Sequence, residues 1–473
     1  MSSYNPQSSV AEQFISHSEI IDTLNYATAE RNNRPLIDDI LTKAAEGRGL
    51  NHREAALLME CDDSEVTERI FTLARDIKQR IYGNRIVMFA PLYLSNHCIN
   101  GCTYCPYHAT NRSIARRKLT QEQIAAEVIA LQDMGHKRLA LEAGEHPTLA
   151  PIEYILESID TIYSIRHRNG AIRRVNVNIA ATTVENYRQL RNAGIGTYIL
   201  FEETYNREVY NRLHPSGPKS DWAYHTQAMD RAMEGGIDDV GIGALFGLTD
   251  YRYDLVGLMM HAEHLEAAFG VGPHTISVPR IRPADDIDLS KFPNAVTDNR
   301  FKRIVAILRL AVPYTGMIIS TRESEQCRRE VLEIGVSQIS GGSKTSVGGY
   351  ADTSEAEHSE QFDISDNRTL DQIVGWLLGL GYVPSFCTAC YREGRTGDRF
   401  MSLAKSGAIA NCCAPNALMT LKEYLCDYAS ESTIAAAQDI FDRELNKIPS
   451  QRVKDITSQR LEQIAAGIRD FRF

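Results

Sequence analysis

Cys98, Cys102 and Cys105 stand at C-x3-C-x2-C in the run Leu94-Ser-Asn-His-Cys-Ile-Asn-Gly-Cys-Thr-Tyr-Cys-Pro106. They follow an apolar, β-rich stretch (85–94), which puts them on a loop leaving a strand. Thiolates are soft ligands that suit iron–sulfur clusters or zinc. A closed structural site takes four protein ligands, so three leave one metal position open to a substrate or cofactor. His97 and His108 are what a zinc knuckle would have to use, but no fourth ligand lies nearby at a zinc-type spacing. A second thiol set, Cys387, Cys390 and Cys413, stands far downstream at C-x2-C-x22-C, with Cys412 adjacent to the last member. A zinc ribbon would recruit Cys412 as fourth ligand, yet neighbouring cysteines do not easily direct both sulfurs to one tetrahedral metal. The reading adopted is two iron–sulfur sites.

Other polar residues sit where apolar runs end. Glu142-Ala-Gly144-Glu145 offers a glycine at which backbone can approach a ligand. Asn176 and Asn178, Glu202 and Glu203, Arg280 and Arg282, and Thr321, Arg322 and Glu323 occupy comparable places. Acids and bases together around one opening suit a zwitterion such as an amino acid, and an arginine fork binds a carboxylate in bidentate fashion. At least one of Arg282 and Arg322 is therefore expected to contact a carboxylate.

The elements that must position these groups follow from pattern. Residues 1–83 read as helical, with apolar residues at helical spacing and a capping box at Asn51 to Glu54; this extension is expected to close one end of the next domain. From residue 84 short β-branched runs alternate with amphipathic ones. Strands are expected at 85–94, 137–143, 174–181, 196–201, 239–246, 274–280, 316–321 and 337–341, and helices at 121–134, 151–166, 184–192, 221–234, 253–268, 298–311 and 322–334. Eight such alternations predict an α/β fold, a (β/α)8 TIM-type barrel over 84–350, whose catalytic groups gather at the C-terminal ends of the strands. The first cysteine loop follows strand one and so belongs at that mouth. Residues 351–366 are acidic and poor in apolar residues and read as a solvated linker without chemistry. A mainly helical C-terminal domain, 351–473, carries the second thiol set.

Composition bounds the rest. The chain has 473 residues, 43% hydrophobic and 24% charged, and a net charge of −10. That charge argues against nucleic acid as a main partner, which requires a basic face. No stretch approaches the roughly 20 apolar residues of a membrane span, and the polar N-terminus lacks the blocks of a signal peptide. Ten cysteines in such a chain point to metal or catalysis rather than disulfides, hence to a reducing, cytoplasmic setting.

The first cysteine run resembles the radical S-adenosylmethionine (SAM) enzymes, in which three cysteines hold a [4Fe–4S] cluster and SAM chelates the fourth iron. Tyr104 matches the aromatic residue near the adenine. Ala143-Gly144-Glu145 is similar to the Gly-Gly-Glu motif that binds the SAM amino group, with alanine for one glycine; Asn178 is grouped with it as a cofactor contact. From about Asn84 onward the chain resembles the [FeFe]-hydrogenase maturase family of radical SAM tyrosine lyases. The thiamine-pathway tyrosine lyase, 2-iminoacetate synthase, shares the barrel, Glu203-Thr-Tyr205 and Pro279-Arg-Ile-Arg-Pro283, but lacks a domain with C-x2-C-x22-C. The run Gly394 to Ser402 also resembles the maturases.

The resemblance implies a fold, cofactors and partners. SAM and two [4Fe–4S] clusters are the cofactors. The auxiliary cluster sits on Cys387, Cys390 and Cys413 and carries an extra, labile iron. That iron is held by a histidine, matched by His274 (with His261 and His264 as competitors), and by L-cysteine. L-Tyrosine is cleaved to p-cresol and dehydroglycine, with Glu203, Arg282, Thr321 and Arg322 as substrate contacts. Dehydroglycine gives carbon monoxide and cyanide for an iron synthon passed to hydrogenase maturation proteins, and an electron donor is required. The competing readings are a lyase that stops at dehydroglycine and a non-catalytic, zinc-stabilised scaffold. His274 begins the sixth strand, so the second thiol set is expected at the end of the barrel away from the first.

Overall fold

The computed structural model describes residues 4–351 and 359–473. Eight parallel strands close into a barrel: β1 (Arg85–Ser95), β2 (Arg138–Ala143), β3 (Arg174–Asn178), β4 (Tyr198–Ile199), β5 (Val240–Gly243), β6 (Thr275–Ser277), β7 (Gly316–Ile319) and β8 (Gln338–Ser340). Closure is made by β8 on β1, with Val87 opposite Gln338 and Phe89 opposite Ser340. Each expected strand is present, most of them shorter than expected, because their polar ends leave the ladder. Past β6, for example, the chain keeps a single bridge, between Phe246 and Arg280.

The sequence of β1 explains its central place. Ile86, Met88, Ala90 and Leu92 are fully buried, while Val87, Phe89, Pro91 and Tyr93 line cavities inside the barrel. A strand covered on both faces reads as a continuous apolar run, as parallel sheets require.

Several elements depart from expectation. The helix expected at 322–334 begins at Glu325, capped by the Ser324 side chain, which leaves Arg322 on the connecting turn. The expected 221–234 helix is broken at Gln227 into Trp222–Thr226 and Ala228–Glu234. A ninth strand, β9 (Val383–Ser385), adds in parallel to Arg85–Val87 of β1. Three residues with a central proline carry no alternation, and proline is tolerated at such an edge. β9 delivers the chain to Cys387 at the N-terminal end of the barrel.

The N-terminal helices (His17–Glu30, Arg34–Ala45, His52–Glu60 and Ser64–Tyr82) do not plug an end. They lie against the outer barrel helices Tyr251–Phe269 and Asp298–Ala311. The Leu50 N–H donates to Ala311 O at 3.1 Å, and His52 Nδ1 meets Glu263 Oε2 at 2.8 Å. The capping box at Asn51 and Glu54 is formed, and Cys61 is a buried thiol. The amphipathic faces that suggested an end cap instead complete a third layer on one flank.

The acidic linker is also different from expectation. Of 351–366, residues 352–358 lie outside the described residues. Ser359 and Asp366 are buried, Asp366 pairs with the buried Arg328, and the Tyr93 hydroxyl donates to Gln361 Oε1 at 2.9 Å. The polar composition predicts a solvated stretch, whereas these side chains meet polar partners inside.

The C-terminal helix Ala410–Asp427 is tied to the barrel by Glu423, whose carboxylate is fully buried. It lies 3.2 Å from Lys137 Nζ and 3.0 Å from Arg173 Nη1. Glu423→Gln leaves the buried Lys137 without its carboxylate and Arg173 with Asp470 alone, and is expected to lower the unfolding free energy by about 3–5 kcal/mol in a urea titration.

Candidate active site

The loop after β1 is held by its own backbone. Arg116 donates to the carbonyls of Asn96, Tyr107 and His108 at 2.6, 2.8 and 2.6 Å. The end of β2 presses on the same loop: Gly144 N–H donates to Ser95 O at 2.8 Å and Ile99 N–H to Glu145 O at 2.9 Å. A Cβ on Gly144 would stand 2.4 Å from His97 O and 3.2 Å from Cys98 Cβ. Here glycine is required because one protein backbone approaches another.

Cys98, Cys102 and Cys105 thus face one cavity of about 1030 Å³, open to solvent at its rim. Burial pushes the Cys102 thiol up to about 12, and Cys105 moves the same way for the same reason. Thiolates in this place need a metal charge beside them. Neither His97 nor His108 lines the cavity; His108 pairs with Asp286 at 3.2 Å. Three thiols and no zinc-type histidine therefore fit a cluster with one open iron. Gly144, Glu145, Asn178 and Tyr104 line the same space. Tyr104 packs among Leu213, Leu245 and Phe292, and its hydroxyl meets His214 Nε2 at 2.8 Å.

Glu203 lines the cavity with a left-handed backbone, φ +70°. Such strain in a non-glycine residue is retained only where its surroundings impose it. Its Oε1 is 2.7 Å from Lys219 Nζ. Lys219 is raised by its acidic neighbours against the pull of burial and sits on a short 3-10 turn, Pro218–Ser220, that carries no motif.

A second cavity of about 900 Å³ continues down the barrel, sharing Tyr93, Glu142, Asn178, Phe201, Pro279, Arg322 and Gln361 with the first. Thr321 lines it. Arg322 lies 3.8 Å over the Phe362 ring, and its buried Nε has no partner among the described residues. Arg282 is placed differently: it pairs with Glu323, as does Arg280, and it lines neither cavity. Of the two arginines expected to meet a carboxylate, both keep a buried Nε without a partner among the described residues, but Arg322 is the one that lines the cavities and forms no ion pair there.

At the other end, Cys387, Cys390, Cys413 and His274 line one chamber of about 610 Å³, with Arg85, Arg138, Arg174 and Tyr391. It meets the lumen cavity at Gln338, which lines both and accepts from Arg138 Nη1 at 3.4 Å. Val87 lines this chamber and Tyr93 the mouth. Six residues of extended chain separate the two, about 20 Å at ~3.3 Å per residue. Cys412 does not line the chamber. His274 Nδ1 is 3.3 Å from Asp239 Oδ1 without hydrogen-bond geometry, and burial pushes the imidazole down to about 4, so it is neutral and able to ligate. The competitors are engaged elsewhere, His261 with Tyr205 at 3.0 Å and His264 with Asp230 at 2.9 Å.

Lys219, Tyr93 and Gln361 also line the mouth cavity, although no motif marks them. They come from a turn, from mid-strand and from the acidic segment, and only folding brings them to the mouth.

Comparison with known proteins agrees with this geometry. Residues 92–260 match the model of the radical SAM superfamily, and residues 277–383 that of the biotin and thiamin synthesis associated domain. The chain is 30% identical to 2-iminoacetate synthase of Salmonella typhimurium over 72% of its own length and 88% of the relative's. It superposes on a crystal structure of HydG, a maturase of the [FeFe]-hydrogenase, with TM-score 0.94 and 53% identity, covering 97% of this chain and 100% of that one. HydG from Carboxydothermus hydrogenoformans matches with TM-score 0.82 and 40% identity, over 95% and 99% of the two chains.

Proposed function

Because the chain belongs to the radical SAM family that includes the [FeFe]-hydrogenase maturase HydG and 2-iminoacetate synthase, we propose that it cleaves L-tyrosine to p-cresol and dehydroglycine and converts dehydroglycine to carbon monoxide and cyanide. The atoms close: dehydroglycine, HN=CH–COOH, gives CO, HCN and water. The observation that carries the second half is the far chamber, where three thiols and a neutral His274, whose Nδ1 has no hydrogen bond among the described residues, face one space.

Cys98, Cys102 and Cys105 would hold a [4Fe–4S] cluster whose open iron takes SAM. When bound, this pair supplies a carbon radical able to remove one hydrogen atom from the substrate. The chain's residues do the remainder. Tyr104, Gly144, Glu145 and Asn178 surround the cofactor space. Arg322, with an unpaired buried donor, holds the amino-acid carboxylate, and Thr321 lies beside it. Arg282, bound to Glu323, steadies that wall instead of touching substrate. The enclosed lumen keeps water from a reactive fragment and leads it past Gln338 toward the second chamber. There Cys387, Cys390 and Cys413 would hold an auxiliary cluster, with His274 and a small molecule such as L-cysteine on an extra iron. A low-potential electron donor and the hydrogenase maturation proteins are the partners this reading needs.

The test is anaerobic reconstitution with iron, sulfide, SAM, a chemical reductant and L-tyrosine, assaying p-cresol, carbon monoxide and cyanide. Cys413→Ala and His274→Ala are expected to keep p-cresol within a few-fold of the unsubstituted chain and to lose carbon monoxide. Loss of p-cresol as well would count against two divided sites. An unsubstituted chain that stops at dehydroglycine would make it a 2-iminoacetate synthase.

A further inference from the structure

Four carboxylates face the mouth and lumen cavities, Glu142, Glu145, Glu203 and Glu323. Three have evident partners. Glu203 pairs with Lys219 at 2.7 Å, Glu323 is held by Arg280 and Arg282, and Glu145 accepts from Asn100 Nδ2 at 2.6 Å outside the lumen. Glu142 differs. It lies on β2 between Tyr93 of β1 and Asn178 of β3, lines both cavities, and has the neutral amide of Asn178 beside it. Among the described residues it has no ion-pair partner. Arg322 lines the same two cavities and also lacks one.

A half-buried acid and a half-buried base that each lack an ion-pair partner are costly to hold charged. Here they face one space without joining each other. A zwitterion placed between them would give each of them a partner at once.

We propose that Glu142 receives the ammonium group of the amino-acid substrate and takes a proton from it, while Arg322 holds the carboxylate. This rests on the amino-acid lyase reading above and deepens it. The transfer is R–NH3⁺ plus carboxylate to R–NH2 plus carboxylic acid, with the N–H pair remaining on nitrogen. It presents the substrate amine uncharged beside the cofactor space.

Protonation supports the assignment. Burial pushes the Glu142 carboxyl up to about 8, against the pull of Asn178 and Arg322. The ionisable groups facing it are Tyr93 from β1, Tyr107 from the cysteine loop and Arg322 from the turn after β7; both phenols stay neutral because burial raises them. Below pH 8 the empty chamber therefore holds a neutral carboxyl. Seating the zwitterion, with one proton shared between carboxylate and amine, expels one proton to solvent. Tyrosine affinity is then expected to rise about tenfold per pH unit below pH 8 and to level off above it.

The experiment is calorimetric titration of L-tyrosine into the reconstituted protein with SAM, in two buffers of different ionisation enthalpy at pH 7. One proton released per tyrosine is expected for the unsubstituted chain. Glu142→Gln should bind tyrosine at least tenfold more weakly and release none, with Glu142→Asp intermediate; bound iron equal to the unsubstituted chain's certifies the fold. The unsubstituted chain should also prefer tyrosine over 3-(4-hydroxyphenyl)propanoate, which lacks the ammonium, and Glu142→Gln should lose that preference. Unchanged affinity and proton release in Glu142→Gln, with p-cresol still formed by the unsubstituted chain, would overturn the role of Glu142 alone. If the unsubstituted chain neither binds tyrosine nor forms p-cresol, the amino-acid reading itself falls.

Discussion

Cys102→Ala is expected to give no p-cresol, no carbon monoxide and no cyanide above background, while the iron bound at the far chamber remains. Three thiols face the mouth, and they surround a space in which neither neighbouring histidine takes part. Removing one leaves two ligands for a group that needs three, and Cys105 reverts to a thiol because burial holds it protonated without a metal charge. The loss therefore extends to every product, unlike that in Cys413→Ala. Iron analysis should show about four irons fewer per chain, and the spectrum of the remaining cluster should be unaltered. Retention of p-cresol by Cys102→Ala would remove the basis for radical cleavage at this mouth.

Arg322→Ala is expected to produce the next largest effect. Truncating one partner of a buried, hydrogen-bonded charge pair costs about 2–5 kcal/mol. At 1.4 kcal/mol per factor of ten, kcat/KM for tyrosine should fall between about 30- and 3,000-fold. Arg322→Lys should recover little, because an ammonium has no fork and would lose its stacking on Phe362. Arg282→Ala provides the contrast. It frees Glu323 on one side only, since Arg280 keeps its bond, and its effect on kcat/KM should be several-fold smaller. Steady-state rates of p-cresol formation over a tyrosine series separate the two.

The barrel was legible because its signal is repeated. Eight apolar runs at regular intervals leave one architecture, and β1 announces itself by nine residues, Ile86 to Leu94, with no charged interruption before Ser95. Both thiol sets were legible as spacings. What the sequence could not give is partnership. Arg282 and Arg322 look alike as residues beside a strand end, and only the fold shows that Glu323 pairs with Arg282 while Arg322 faces the cavities without an ion pair. Segment 359–366 misled for a related reason. Its polar composition is that of a solvated loop, but the buried guanidinium of Arg328 and the hydroxyl of Tyr93, both distant in sequence, turn it inward. β9 was invisible because three residues cannot show a period. Glu142 stood in the quoted motif without a role, since its distinction lies in what it does not touch.

The continuity of β1 has a consequence for how this chain can vary. A single strand supplies wall to the mouth, the lumen and the far chamber through alternate residues, Tyr93, Pro91, Phe89 and Val87. It works as a ruler between two workshops. Insertion of one residue would rotate the whole inner row to face the helices, so its length can change only in steps of two, with each step moving the far chamber by about 7 Å. The route between the two sites is thus quantised by the pleat, and evolution or design can tune the loops at either end far more freely than the distance between them.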